Sequence, residues 1–117
     1  MAHGDITHVD IPSGDMERSK AFYSDLFGWE FVEYPGYEGY PMFRSPNEVS
    51  GGGLAPRDGS FTQPRSTVEV DSIDDALAKV KAQGGRVTKE KEQISETSWW
   101  ATFEDPDGNV IALHEGD

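Results

Sequence analysis

His8-Val9-Asp10-Ile11 leads through Asp15 into a helix-like run that closes at Gly28. Thr67-Val68-Glu69-Val70 leads into a second such run, closing at Gly84-Gly85. The strand segments match at an offset of 59, setting Val9 on Val68, Asp10 on Glu69 and Ile11 on Val70. The helical segments match at 57, setting Met16 on Ile73, Ser19 on Ala76, Tyr23 on Val80 and Gly28 on Gly85. The two-residue difference falls in the connecting turn, where Ser13-Gly14 has no counterpart. A repeat of this length is one strand–helix–strands unit used twice, which places any ligand cleft between the two copies.

Working outward, the pattern predicts one domain over about residues 4–116, with module one at about 5–54, a linker at about 55–65 and module two at about 66–115. Ile6–Pro12 alternates as a strand. Asp15 is the expected N-cap of a helix whose stripe is Met16, Phe22, Tyr23, Leu26 and Phe27, ended by the left-handed residue Gly28. Strands are expected at Trp29–Tyr34, Tyr40–Arg44 and Val49–Leu54, with a loop at Pro35–Gly39. In module two, Thr67–Asp71 reads as a strand, and Ser72 with Asp75 as a capping-box-like start. Ile73, Ala76, Leu77 and Val80 stand at i, i+3, i+4 and i+7 of an amphipathic helix. Lys89–Ile94 reads as a polar edge strand. Trp99–Glu104 and Asn109–Glu115 follow, joined by the turn Asp105-Pro106-Asp107-Gly108.

Composition narrows the function classes. Ten Lys and Arg against 22 Asp and Glu leave a net charge of −12, which argues against binding to nucleic-acid phosphate backbones, since that needs a lysine- and arginine-rich face. Two readings of the acidity stand open: a solvated acidic surface suited to high salt, or an acidic cleft that attracts a cationic ligand. The absence of cysteine removes disulfides, thiolate metal sites and cysteine nucleophiles. No run of roughly 18 apolar residues predicts a membrane span. Met1-Ala2-His3-Gly4-Asp5 has neither the basic nor the apolar region of a secretion signal, so a cytoplasmic location is expected. Gly51-Gly52-Gly53 lacks the Lys-Ser/Thr and helix start of a phosphate loop and reads as a bulge or close backbone approach.

Ile6-Thr7-His8-Val9-Asp10-Ile11, Phe22-Tyr23 with Phe27-Gly28-Trp29, and Phe103-Glu104-Asp105-Pro106-Asp107-Gly108-Asn109 together resemble the vicinal oxygen chelate superfamily. This is the group of glyoxalases, bleomycin-resistance proteins and dioxygenases, and the resemblance runs from about Ile6 to Glu115. It implies an α+β fold of two βαβββ modules that form an incomplete barrel around a cleft. It also implies a divalent metal held from the first and last strands of each module. Carried over by position, those places hold His8, a residue near Gly51, Thr67 and Ala112. One strong donor is too few where about three protein ligands are usual, so the inherited metal is expected to be lost.

Strand alternation defines the cleft face independently. If Val9, Ile11, Val68, Val70, Ile111 and Leu113 pack under the helices, then His8, Asp10, Thr67, Glu69, Val110, Ala112 and His114 face the other way. The repeat pairs Tyr40, Met42 and Arg44 with Trp100, Thr102 and Glu104. Tyr40, Met42 and Trp100 would form an aromatic wall, with Arg44 as an anion anchor. Trp99 and Trp100 exchange faces on a one-residue change of register. The candidate ligand-binding residues are therefore His8, Asp10, Tyr40, Met42, Arg44, Thr67, Glu69, Trp100, Ala112 and His114.

The leading expectation is cofactor-free small-molecule binding by a homodimer, with drug sequestration as the nearest precedent that the resemblance offers. The competing one is a lyase, isomerase or dioxygenase using one divalent ion through a shifted set, His8, Glu69 and His114.

Overall fold

Asp15 and Ser72 start the two helices in the same way. Asp15 Oδ1 accepts from the Arg18 amide at 3.1 Å and Ser72 Oγ from the Asp75 amide at 3.2 Å, satisfying donors that no helical carbonyl reaches. The computed structural model describes residues 2–48 and 50–117. Their elements run β1 (Ile6–Ser13), α1 (Met16–Phe27), β2 (Met42–Arg44), β3 (Gly51–Pro56), β4 (Arg65–Glu69), α2 (Ile73–Ala82), β5 (Arg86–Ser95), β6 (Ser98–Glu104) and β7 (Val110–Gly116). The expected α+β class is borne out, and the strand–helix–strands order occurs twice. Gly28 ends α1 at φ 74°, its N–H donating to Ser24 O at 2.8 Å.

The chain divides into two compact units. In the first, His8–Pro64, β3 lies parallel to β1 and antiparallel to β2. The glycine run is a strand in close approach: a Cβ on Gly52 would fall 1.9 Å from Val9 O, and one on Gly51 2.4 Å from Phe43 O. The strand expected at Trp29–Tyr34 is reduced to a single bridge, Val32 to Met42. The loop explains the loss. Tyr34 O accepts from Tyr37 N at 2.9 Å and Tyr40 N donates to Tyr37 O at 3.2 Å, so the groups that would form the next pair beyond Val32 and Met42 are taken by turns. Pro41 O faces β3, accepting from Leu54 N at 2.9 Å, and β2 begins at Met42 rather than Tyr40. Val49, the expected first residue of the next strand, lies outside the described residues, and β3 extends past Leu54 to Pro56.

Helix α1 buries no residue. Its expected apolar stripe is split. Tyr23 stacks on Trp29 at 5.6 Å, and Trp29 on Phe43 at 4.0 Å, while Phe22 and Leu26 are 59% and 58% exposed. At about 100° per residue, Phe22 and Leu26 lie about 100° and about 60° round the helix from Tyr23 on one side, and Phe22 meets the Tyr23 ring edge-on at 5.2 Å.

The second unit comprises the N-terminal segment through Thr7 and Arg65–Asp117. Its strands run β4-β7-β6-β5, with β4 parallel to β7 and the other pairs antiparallel. Gly4 N donates to Glu69 O at 2.7 Å and Glu69 N to Asp5 O at 2.8 Å, covering the free edge of β4 within this unit. Val70, Ile73, Leu77, Ala101 and Leu113 form the core, with Val68, Ala76, Val87, Trp99 and Phe103 packed against it. β5 is longer than the expected Lys89–Ile94 and shifts register against β6. In the Asp105–Gly108 turn, Asp105 accepts from Asn109 Nδ2 and from the amides of Asp107 and Asn109, each at 2.9 Å. Bonds from the Asn109 side chain, then its amide, hold the Asp105 carboxyl below the usual carboxylate range. No helix among the described residues is long and apolar enough to cross a membrane.

Candidate functional site

Alternation along β1 sends His8 and Asp10 to one face, and Tyr40 reaches them from the loop before β2. The Tyr40 hydroxyl donates to Asp10 Oδ1. Its oxygen also lies 2.5 Å from His8 Nε2, which is 3.0 Å from Asp10 Oδ1. A neutral His8 protonated at Nε2 satisfies this triangle, since the phenol can accept from imidazole while donating to carboxylate. His8 Nδ1 then carries a lone pair, with no partner among the described residues. Asp10 is buried, His8 and Tyr40 half-buried. Gly53 makes the cluster sterically feasible. A Cβ there would lie 2.4 Å from Cε1 and Cζ of Tyr40, so only glycine leaves room for the ring.

Met42 is half-buried on β2, and its neighbour Phe43 turns to the aromatic ladder. Arg44 is exposed and its Nη1 donates to Glu48 O at 2.9 Å. The structure gives it a loop-bracing contact.

In the second unit, cross-strand register builds two rows. Glu69, His114, Trp100 and Glu92 are successive partners across β4, β7, β6 and β5, and Thr67, Ala112 and Thr102 form the next row. Glu69 is 7% exposed and its Oε1 lies 2.7 Å from His114 Nδ1. The carboxylate accepts that N–H, which leaves Nε2 as the lone-pair nitrogen. Thr67, Ala112 and Thr102 are buried, and Thr102 Oγ1 meets Thr88 Oγ1 at 2.7 Å. Trp99 packs on the core beneath α2, so Trp100 takes the polar face. Its Nε1 donates to Glu92 Oε1 at 3.3 Å, and Arg65 Cζ and Lys89 Nζ each lie 5.4 Å from the ring centroid. Hydrogen bonds from Lys89, then Trp100, lower the Glu92 pKa from its ordinary value.

Sequence reasoning missed the roles of Gly53, Thr88, Glu92, Lys89 and Arg65. The alternating charges of β5 signalled an exposed strand, but its bulges hid which of them face Trp100.

The metal positions implied by the resemblance can be tested directly. Register pairs His8 with Gly51 and Thr67 with Ala112. Those four places offer one imidazole whose Nε2 is already engaged, a hydroxyl, a methyl, and a glycine with no space for a side chain. They do not fit a divalent ion. Among the described residues, no three His, Cys, Asp or Glu side chains are grouped to hold a metal. A separate groove of about 560 Å³ runs along α2 over Val70, Ala76, Val80, Phe103 and Leu113, and contains none of the predicted residues.

The family model described as Glyoxalase/Bleomycin resistance protein/Dioxygenase superfamily matches residues 5–113, and the chain belongs to that superfamily. A glyoxylase-like domain-containing protein of Didymella fabae is 28% identical over 120 residues, covering 95% of this chain and 93% of that one. A lactoylglutathione lyase of Haemophilus influenzae is 30% identical over 123 residues, covering 94% and 91%. The solved methylmalonyl-CoA epimerase of Mycobacterium tuberculosis shares the fold at TM-score 0.71 and 22% identity, covering 97% of this chain and 88% of that one.

Proposed function

We propose that this chain binds a small molecule without a metal, around the hydrogen-bonded cluster of His8, Asp10 and Tyr40. The carrying observation is the residue opposite His8. Gly51 pairs with it directly, and a Cβ there would fall 2.4 Å from the Phe43 carbonyl oxygen, so that strand position cannot be refilled with a ligand side chain. The cluster instead offers acceptors: the Asp10 carboxylate and the unengaged Nδ1 of His8. A buried carboxylate in a chain of net charge −12 suits a ligand that donates hydrogen bonds and carries positive charge.

A second reading rests on Glu69 and His114. A carboxylate holding Nδ1–H of an imidazole leaves Nε2 disposed to accept a proton, the arrangement of a general base. The name of the Haemophilus relative is that of a lyase, and an enzyme built on His114 is the competing function.

Calorimetry with a panel of protonated heterocyclic amines, in the presence of a chelator, tests the proposal. Binding is expected to survive chelation and His114→Ala, and to weaken at least about tenfold in Asp10→Asn and Tyr40→Phe, the loss expected for a desolvated charged hydrogen bond. Turnover or binding that requires a stoichiometric divalent ion would overturn it. Chelator-resistant turnover abolished by His114→Ala would establish the competing function.

A further inference from the structure

We propose that the groove along α2 is a second small-molecule site, for a compound that joins an aromatic ring to a protonated amine. The groove is lined by the second unit alone and shares no residue with the His8, Asp10 and Tyr40 cluster. Its volume of about 560 Å³ falls within the range of about 300–1,000 Å³ usual for such sites, and its floor is apolar.

The internal repeat shows what the groove lacks. In the first unit, the left-handed Gly28 is followed by Trp29, whose ring stacks on Tyr23 of α1 at 5.6 Å and on Phe43 at 4.0 Å. Phe43 is only 7% exposed beneath it. In the second unit, Val80 and Phe103 hold the places of Tyr23 and Phe43, but the left-handed Gly84 is followed by Gly85, which has no ring to offer. Nor could it carry one: a Cβ there would lie 2.8 Å from both Val80 Cγ1 and Glu104 O. The next side chain, Arg86, is exposed and pairs with Glu104 at 2.8 Å. The space that an indole fills in one module is therefore open in the other, and Val80 and Phe103 stay half-buried. A planar ring is the occupant that this space fits.

The rim selects the charge. Among the described lining residues, Asp71, Asp75, Glu104 and Asp105 are acidic, against the single ammonium of Lys79. His3 also lines the groove, and its Nδ1 accepts from the Asp71 amide at 3.1 Å, the contact of a neutral ring. Glu104 is engaged by Arg86 and Asp105 by Asn109, whereas the exposed Asp75 carboxylate has no ion-pair or hydrogen-bond partner among the described residues. Asp75 adjoins Ala76, which lies on the groove floor. An ammonium set against Asp75 gains a partner while its ring covers Phe103, and an anionic ring of the same shape is repelled.

Titration of the full chain with tryptamine, read by calorimetry and by nuclear Overhauser contacts to the indole, tests this. The indole protons should contact Val80 and Phe103. Affinity should be unchanged in Asp10→Asn and should fall at least about tenfold in Ala76→Phe, which fills the groove, and in Asp75→Lys, which reverses the rim charge. Indole-3-propionate, the same ring with the opposite charge, should bind at least about tenfold more weakly than tryptamine. Should Ala76→Phe not fold, Asp75→Lys and the Overhauser contacts still decide. Absence of tryptamine binding at millimolar concentration overturns the proposal, and so does equal affinity for indole-3-propionate. Binding lost in Asp10→Asn but kept in Asp75→Lys overturns it too, and assigns the amine to the cluster in the first unit.

Discussion

Helix α2 buries Ile73 and Leu77 against Val70, Ala101 and Leu113, whereas α1, in the matching place of the repeat, buries nothing and leans through its Tyr23 on Trp29, which stacks on Phe43. The strands beneath each helix account for the difference. In the second unit, β4 with Val70 just beyond it, β6 and β7 present Val68, Val70, Ala101, Phe103 and Leu113 to α2. In the first, β3 contributes Gly51, Gly52 and Gly53, which offer no side chains, and the strand after α1 is reduced to one bridge. Aromatic rings fill the space instead. Repetition of an apolar pattern sets the helix, but its energetic weight depends on what the neighbouring strands supply.

Truncation at matched depth should expose this contrast most strongly. Leu77→Ala is expected to cost about 2–5 kcal/mol, the range for a fully buried leucine, while Leu26→Ala at monomeric concentration should stay within about 0.5 kcal/mol. Equal losses in urea titrations would break the comparison.

The glycine strand gives the next largest effect. Gly53→Ala drives a methyl into the Tyr40 ring and should cost about 1–3 kcal/mol while loosening the Asp10 contact. Gly59→Ala, where nothing lies within 4 Å, serves as the comparison and should change little. A tolerated Gly53→Ala would mean that the ring is not held where the cluster needs it.

On the other unit, Glu69→Ala strips His114 of its buried acceptor and should cost about 1–3 kcal/mol. A neutral result by denaturant unfolding would indicate that His114 finds another partner.

The smallest effect belongs to the Asp105 turn. Its folded-state pKa lies below the ordinary 3.8, so ionised Asp105 contributes stability above that value and loses it as pH falls through the folded pKa. Asp105→Asn should therefore lower stability near neutrality and flatten its decline on acidification. Parallel acid limbs for the two proteins in pH-dependent melting would contradict that assignment.

Much of the fold could be read from the repeat itself. The strand match at Val9/Val68, the caps at Asp15 and Ser72, and the Asp105 turn all rest on local chemistry and recur in the structure, whereas the helix-end match slips by one, since the left-handed residue after α2 is Gly84 at φ 89° rather than Gly85. Non-local causes escaped. The Trp29–Tyr34 strand failed because turns through Tyr37 took the Tyr34 carbonyl and the Tyr40 amide, and β5 outgrew its expected bounds because bulges let its 10 residues run along the 7 of β6. At the site, alternation sorted His8, Asp10, Glu69 and His114 onto the polar faces, and register then joined Glu69 to His114. It could not reveal that Tyr40 closes on Asp10, because that contact depends on empty space over Gly53. Arg44 satisfied the alternation rule yet turned to the Glu48 carbonyl, since an exposed guanidinium takes the nearest acceptor.

Metal content tests the central claim most directly. Protein purified without a histidine tag and without chelator should carry far less than one equivalent of zinc, nickel, manganese or iron by elemental mass spectrometry, because the positions carried over with His8 hold Gly51, Thr67 and Ala112, none of them a donor of sufficient strength. Thr67→His with Ala112→Glu, placed on directly paired strand positions, should raise the metal content if the folded protein accommodates the larger side chains. One equivalent of tightly held metal in the unmodified chain, lost in His8→Ala or His114→Ala, would contradict the account.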